Sequence, residues 1–251
     1  MDLRRAPAGR RRRVLLAAAL LAALPSTASA DVDRGQAAPY YAAIEAWSSA
    51  SAVKKAVPGL PTVGKAKATT EPLDTEQLFS LTFEPTKKVT QSGDARVAAK
   101  LPRGYPTSGL TPQLDKLRKA WATQFGKLPG DLEDTDLADV ATVSLLVGLS
   151  VHSGDKKVLT SPGALVVRQA DRQSLVAYPG FSKLTAARKQ SAAEMLRIRT
   201  LLAYNTYGEE RGQKDWKGVA QVRAGLRSWM RDALGVDPAK VTLGAKGLEK
   251  K

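Results

Sequence analysis

The sequence predicts a mainly α fold: five to six helices in an orthogonal or bundle-like domain, with a minor two-stranded β pair. Three observations lead there. Asp139 to Val151 is apolar nearly all round, the pattern of a helix buried at the centre of a domain. Leu114, Leu117, Trp121 and Phe125 recur at helical spacing, with Lys and Arg on the opposite side. Only Phe79–Phe83 and Val241–Leu243 read as extended, and pairing them would tie the two ends of the domain together.

Residues 1–30 have the layout of a secretory signal. Arg4, Arg5 and Arg10 to Arg13 form a charged start, Val14 to Leu24 an apolar run, and Ala28-Ser29-Ala30 the small residues before a cut at Asp31. The run is too short to cross a bilayer, which takes roughly 20 residues. It therefore predicts export by the general secretory route, although Arg11 to Leu16 also loosely matches a twin-arginine signal. The expected location is periplasmic or extracellular, and after cleavage the chain is not expected to be an integral membrane protein.

The signal holds 6 of the 39 Lys+Arg and 1 of the 24 Asp+Glu, so the remainder carries 33 against 23, or +10 instead of the full chain's +15. A basic exported chain is drawn to anionic surfaces, which makes an anionic envelope polymer or an envelope protein the expected partner. With no cysteine the chain can form no disulfide and carry no lipid anchor, so stability has to come from an apolar core.

Residues 31–74 read as a flexible leader and linker. A short helix with Tyr40, Tyr41, Ile44 and Trp47 on one side is expected to dock on the domain, and the stretch 58–72, with three prolines, is expected to be flexible. Residues 75–251 read as the helical domain. Its Phe79–Phe83 strand is stopped by Pro85, and 87–109 reads as a long connection with a helical turn near Ala95–Leu101. A helix capped by Thr111, with Pro112 at its first position, carries the Leu114–Phe125 stripe and ends at Gly126. After the central helix, another runs from the Ser161-Pro162 start to Pro179-Gly180, with Leu165, Val166, Gln169, Arg172 and Val176 as its stripe. Two last helices, near Lys183–Tyr207 and Gln213–Leu234, are joined by a turn at "GEERG", and the second stops at Gly235.

The stretches "LFSLTFEPT", "DTDLADVATVSLLVGL", "RKQSAAEMLRIRTLL" and "LGVDPAKVTLGAKGL" occur in that order. Together the chain resembles a family of exported bacterial proteins known only as a domain of unknown function, over about Glu76 to Leu248. It departs from that pattern in a central helix poorer in aromatics and in Asp136, where an asparagine is expected. The resemblance implies a helical domain behind a signal and a variable linker. It implies no activity, substrate or site residue.

Candidate chemistry is sparse. His152 is the one histidine. Ser150 lies two residues before it, but on a helix the two point about 200° apart and cannot share a proton. His152 is expected to be a helix-end residue near the negative end of the dipole. One histidine and no cysteine leave no usual zinc set. The carboxylates Asp131, Glu133, Asp134 and Asp136 lack the internal glycine of a calcium loop and suit a helix N-terminus. No phosphate-binding glycine loop and no cofactor motif is present. The basic and aromatic stretches "RKAWATQFGK" and "DWKGVAQVRAGLRSWMR" are the best nucleic-acid candidates, but their aromatics fall on apolar stripes, so packing is the preferred reading.

That leaves Glu194, which falls between Ile198 and Leu201 on the flank of an apolar line through Leu184, Met195 and Leu202. Arg223 sits in the apolar face of the last helix, defined by Trp216, Val219, Leu226, Met230 and Leu234. If "GEERG" is the turn, Glu194 and Arg223 lie at depths differing by only ~5 Å, so the two are expected to pair. Two functions follow. The preferred one is a non-enzymatic exported module that binds a partner. The alternative is a cell-wall glycan hydrolase using Glu194, or Glu209/Glu210, as its acid. No second carboxylate stands at a defined spacing, so the catalytic residues of that alternative stay unassigned.

Overall fold

The computed structural model describes residues 34–65, 67, 69, 71–125 and 132–251; the signal-like stretch 1–30, Gly126 and Asp131 lie outside them. The fold is mainly α, with more helices than the five or six expected. The described residues form α1 (Arg34–Trp47), α2 (Ala50–Ala56), α3 (Thr75–Leu81), α4 (Lys87–Ala98), α5 (Leu110–Phe125), α6 (Leu137–Ser153), α7 (Gly163–Ala177), α8 (Ala186–Gly212) and α9 (Trp216–Leu234). Short 3-10 segments lie at Leu60–Lys65, Lys156–Thr160 and Phe181–Lys183, and two strands, β1 (Val241–Gly244) and β2 (Gly247–Lys250), close the chain.

The central helix α6 is where the sequence places it. The Asp136 carboxylate accepts the N–H groups of Ala138 (2.7 Å) and Asp139 (3.1 Å), satisfying donors that a helix start leaves unpaired. Every residue from Leu137 to Val151 is buried. Helices α7, α8 and α9 pack around it. Gly148 permits the approach of α9, since a Cβ there would stand 2.3 Å from Met230 Sδ. The α5 stripe is also as expected: Leu114, Leu117, Trp121 and Phe125 are all buried.

Elsewhere local capping overrides the extended pattern. Asp74 accepts the Gln77 N–H (2.8 Å), and the Gln77 side chain accepts the Asp74 N–H (3.0 Å). This reciprocal box starts helix α3 where a strand was expected. Leu81 and Phe83 are buried, but Phe79 is 71% exposed. The extended remnant is a single bridge between Thr82 and Asp136. Val241–Leu243 pairs with its own neighbour instead, with Val241 opposite Lys250 and Leu243 opposite Leu248. Closing a two-residue loop costs far less chain entropy than joining segments at opposite ends of the domain, and Gly247 at φ 99° supplies the left-handed turn residue. The stretch read as a long connection contains the full helix α4, capped by the Thr86 hydroxyl.

The leader is more firmly fixed than its composition suggests. Tyr40, Tyr41, Ile44, Trp47, Val53 and Val57 belong to the same core as α5–α9, and so do Leu60 and Val63 from the stretch expected to be flexible. Further along, the Gln173 amide donates to Thr69 Oγ1 (2.7 Å) and to the Glu71 carbonyl (2.7 Å). The α7 face is also rotated from the expected stripe: Ala164, Val167, Ala170, Asp171 and Leu175 are buried, while Leu165 is 48% exposed.

Candidate anion-binding groove

Glu194 and Arg223 do not meet. Helix α8 continues straight through "GEERG" to Gly212, and the chain reverses at Gln213–Asp215, with Lys214 at φ 58°. Glu194 then lies about 20 residues before the reversal and Arg223 about nine after it, so their depths differ by ~16 Å. Glu194 instead accepts the Thr90 hydroxyl (2.9 Å) and the Gln190 amide (3.2 Å). Its cation is Arg118 of α5, 3.6 Å away, which also binds Asp94 at 2.6 Å. Glu194 is 5% exposed. It joins α4, α5 and α8, and that is a packing role.

Glu210 is also buried, and it stands against the Asp215 carboxyl at the start of α9. Burial, then the Asp215 charge, pushes Glu210 above its ordinary value, while the Gly218 N–H and further bonds hold Asp215 below its own. Two carboxyls in direct contact leave no room for a glycosidic carbon, which needs them roughly 5 Å or more apart. Glu209 accepts the Gln213 amide at 3.2 Å.

Of the acidic run, Asp136 serves the α6 start as its cap, and Arg172 binds Asp136 at 2.8 Å. Asp139, fully buried, takes Arg168 on both oxygens (2.7 and 2.6 Å) and the Glu133 N–H (2.9 Å). Burial, then the neighbouring Asp139 charge, raises Asp136. Among the described residues no group of three or more His, Asp or Glu could hold a metal ion.

His152 stands at the end of α6, as expected, but it also opens onto a feature the periodicity did not show. A groove of about 730 Å³ is lined by His152, Trp216, Val219, Arg223, Arg227 and Arg231, among others. Four-residue spacing puts the three arginines on one stripe of α9, with steps of ~6 Å. Arg223 forms the floor: its Nε donates to the Val151 carbonyl (3.0 Å), its Nη2 to the Tyr207 hydroxyl (3.4 Å), and the guanidinium lies 5.4 Å from the Tyr207 ring centre. These partners carry no charge, so neither offsets that of the guanidinium. Arg227 is held on both carboxylate oxygens of Asp237 (2.7 and 2.8 Å), and Arg231 contacts Asp232 at 3.2 Å in solvent.

The field in the groove is legible on His152. Burial first, then Lys251, Arg223 and Arg227, holds its pKa below the ordinary value; Asp237 acts in the opposite sense. Its Nδ1 is buried and has no hydrogen-bond partner. Trp216, expected in the apolar face of α9, is 64% exposed at the rim, while Trp229 takes the buried position and donates to the Ser48 carbonyl at 3.1 Å. A cationic floor, a neutral imidazole and an open indole can bind an anion. Sequence periodicity missed the site because Trp216 fits the apolar repeat and His152 comes from another helix. The arginine spacing in "DWKGVAQVRAGLRSWMR" is the one signal for it.

No curated protein and no solved structure matches the chain. A family model does, over residues 9–251 and so well beyond the Glu76–Leu248 span of the resemblance, and the chain belongs to the family described as "Family of unknown function (DUF6683)".

Proposed function

We propose that the protein is a non-enzymatic exported module of the bacterial envelope or extracellular space, which binds an anionic envelope partner through the α9 groove. The observation that carries this reading is Arg223, a cation fixed on neutral acceptors at the floor of an open groove. The net +10 outside the signal-like stretch supplies long-range attraction to an anionic surface. The candidate acids Glu194 and Glu210 are occupied in packing and in a carboxyl pair, which favours binding over hydrolysis. No described helix is long and apolar enough to cross a membrane.

Residues 31–251, purified without added charge tags, are to be sedimented with washed envelope fragments across a salt series. Retention that falls with salt, and is weaker for Arg231→Gln at every salt concentration, is the expected result. Retention indifferent to salt and to that substitution, or none at low salt, sinks the proposal.

A further inference from the structure

We propose that the α9 groove recognises a phosphorylated sugar, with Arg223 and a protonated His152 as donors to the phosphoryl group and Trp216 as the platform for the ring. This rests on the reading of the groove as the binding face and adds the chemistry of what binds.

The end of α6 would by itself repel an anion, because a helix C-terminus carries partial negative charge. Here the Val151 carbonyl is taken by Arg223 Nε. That bond occupies a carbonyl of the last helical turn and at the same time places the guanidinium beside His152. A phosphoryl group matches what remains. It offers three acceptor oxygens and, as a monoester, nearly two negative charges near neutral pH, and guanidinium groups bind such oxygens through paired N–H donors. The groove's volume of about 730 Å³ exceeds what a lone carboxylate fills. At its rim the indole of Trp216, 64% exposed, presents a flat apolar face with a polar edge. A sugar ring has an apolar face of the same kind, and a phosphate placed at the floor leaves its ring at the rim.

His152 then becomes part of the binding equilibrium. The charged groups facing it are Arg223, Arg227 and Arg231 of α9, and Lys251 and Asp237 of the C-terminal segment. Lys251, Arg223 and Arg227 oppose its protonation, and Asp237 favours it. A bound phosphoryl dianion reverses the sign of the local field and so favours the charged imidazolium. Binding is therefore linked to proton uptake at His152, and by reciprocity protonation tightens binding.

The chain holds a single histidine, so the imidazole proton resonances report on this site alone. The untagged protein, residues 31–251, is titrated by NMR with and without glucose 6-phosphate, with glucose and inorganic phosphate as controls. The expected result is a rise of about one unit in the His152 pKa with glucose 6-phosphate, meaning about tenfold tighter binding to the protonated form. Quenching of Trp216 should accompany it, and glucose should do neither. The rise should shrink in Arg231→Gln, whose exposed side chain allows the fold to be retained, and in Arg223→Gln if that variant folds. An unmoved His152 overturns the inference. An equal rise with inorganic phosphate, together with no Trp216 response to glucose 6-phosphate, overturns its sugar half. Envelope retention that fails while His152 still responds would sink the exported-module reading and leave this one standing.

Discussion

Replacing Asp139 by Asn preserves the volume of the side chain and removes one charge at a site that is fully closed to solvent. The wild-type carboxylate is an acceptor on both oxygens. Arg168 Nε reaches Oδ1 at 2.7 Å, while Arg168 Nη2 at 2.6 Å and the Glu133 N–H at 2.9 Å reach Oδ2, with Arg172 Nη2 adding a bond at 3.3 Å. An asparagine has one acceptor and one donor, so either flip points its NH₂ at an existing donor. Removing one partner of a buried pair costs about 3–5 kcal/mol. Two features favour the lower end. The arginines keep 17–18% of their side-chain surface in water, and Asp136 is relieved of the Asp139 charge beside it. We expect a loss of about 3 kcal/mol, a large share of the roughly 5–15 kcal/mol that a domain has. Urea unfolding followed by circular dichroism should show it as a lower midpoint at unchanged slope. A loss under about 1 kcal/mol would mean that water solvates this cluster in the folded state and that the burial argument fails.

Two further outcomes test the interior. In double-mutant cycles measured by the same unfolding assay, Glu194→Gln and Arg118→Met should couple by about 0.5–2 kcal/mol, whereas Glu194→Gln and Arg223→Gln should add within about 0.5 kcal/mol; the reverse ranking would restore the hairpin pairing. Asp171 is fully buried, with Thr142 Oγ1 2.7 Å from Oδ2, and burial raises its pKa well above 3.8. A raised carboxyl gives its full stabilisation below its unfolded value and loses it as pH rises through its folded value. Asp171→Asn should therefore gain on the wild type as pH rises above about 4 in thermal unfolding, and a pH-independent difference would show that Asp171 does not titrate in this way.

The elements legible in the sequence are those whose signal is complete within one segment. The all-round apolar run of α6 and its Asp136 cap need no knowledge of neighbours, and neither does the α5 stripe. The failures came where a local signal competed with a weak pattern. Phe79, Leu81 and Phe83 alternate, but the Asp74–Gln77 box fixes a helix before the alternation can matter. At "GEERG" two glycines suggested a stop, yet Gly208 and Gly212 are accommodated inside a 27-residue helix whose buried face continues to Glu210. That error moved the reversal by a few residues, and at 1.5 Å per residue on each arm the shift was enough to exchange the partner of Glu194. A flank carboxylate could be read as needing a cation, but which cation depends on the third helix, α5, which no pairwise spacing contains.

The distribution of arginines then separates what holds the fold from what it can offer to a partner. Arg118, Arg168 and Arg172 each meet carboxylates in or near the core, so their fields are cancelled within a few ångströms. Arg197 is enclosed, with Nε and Nη2 buried and without partners; burial lowers its pKa while Asp134 and Glu194 act in the opposite sense. A ligand in solvent has no access to those two nitrogens. Arg223 differs in both respects. It is positioned as firmly as the others, by a helix-end carbonyl and a tyrosine, but by groups that leave its charge uncancelled, and it faces a groove. If stability alone had set this position, a carboxylate across from it would have been the cheaper arrangement, as it is for Arg227 and Asp237 along the same stripe. A fixed, uncancelled and reachable cation beside a neutral histidine is therefore best understood as a binding feature, which is why the tests of function converge on this groove and those of stability on Asp139.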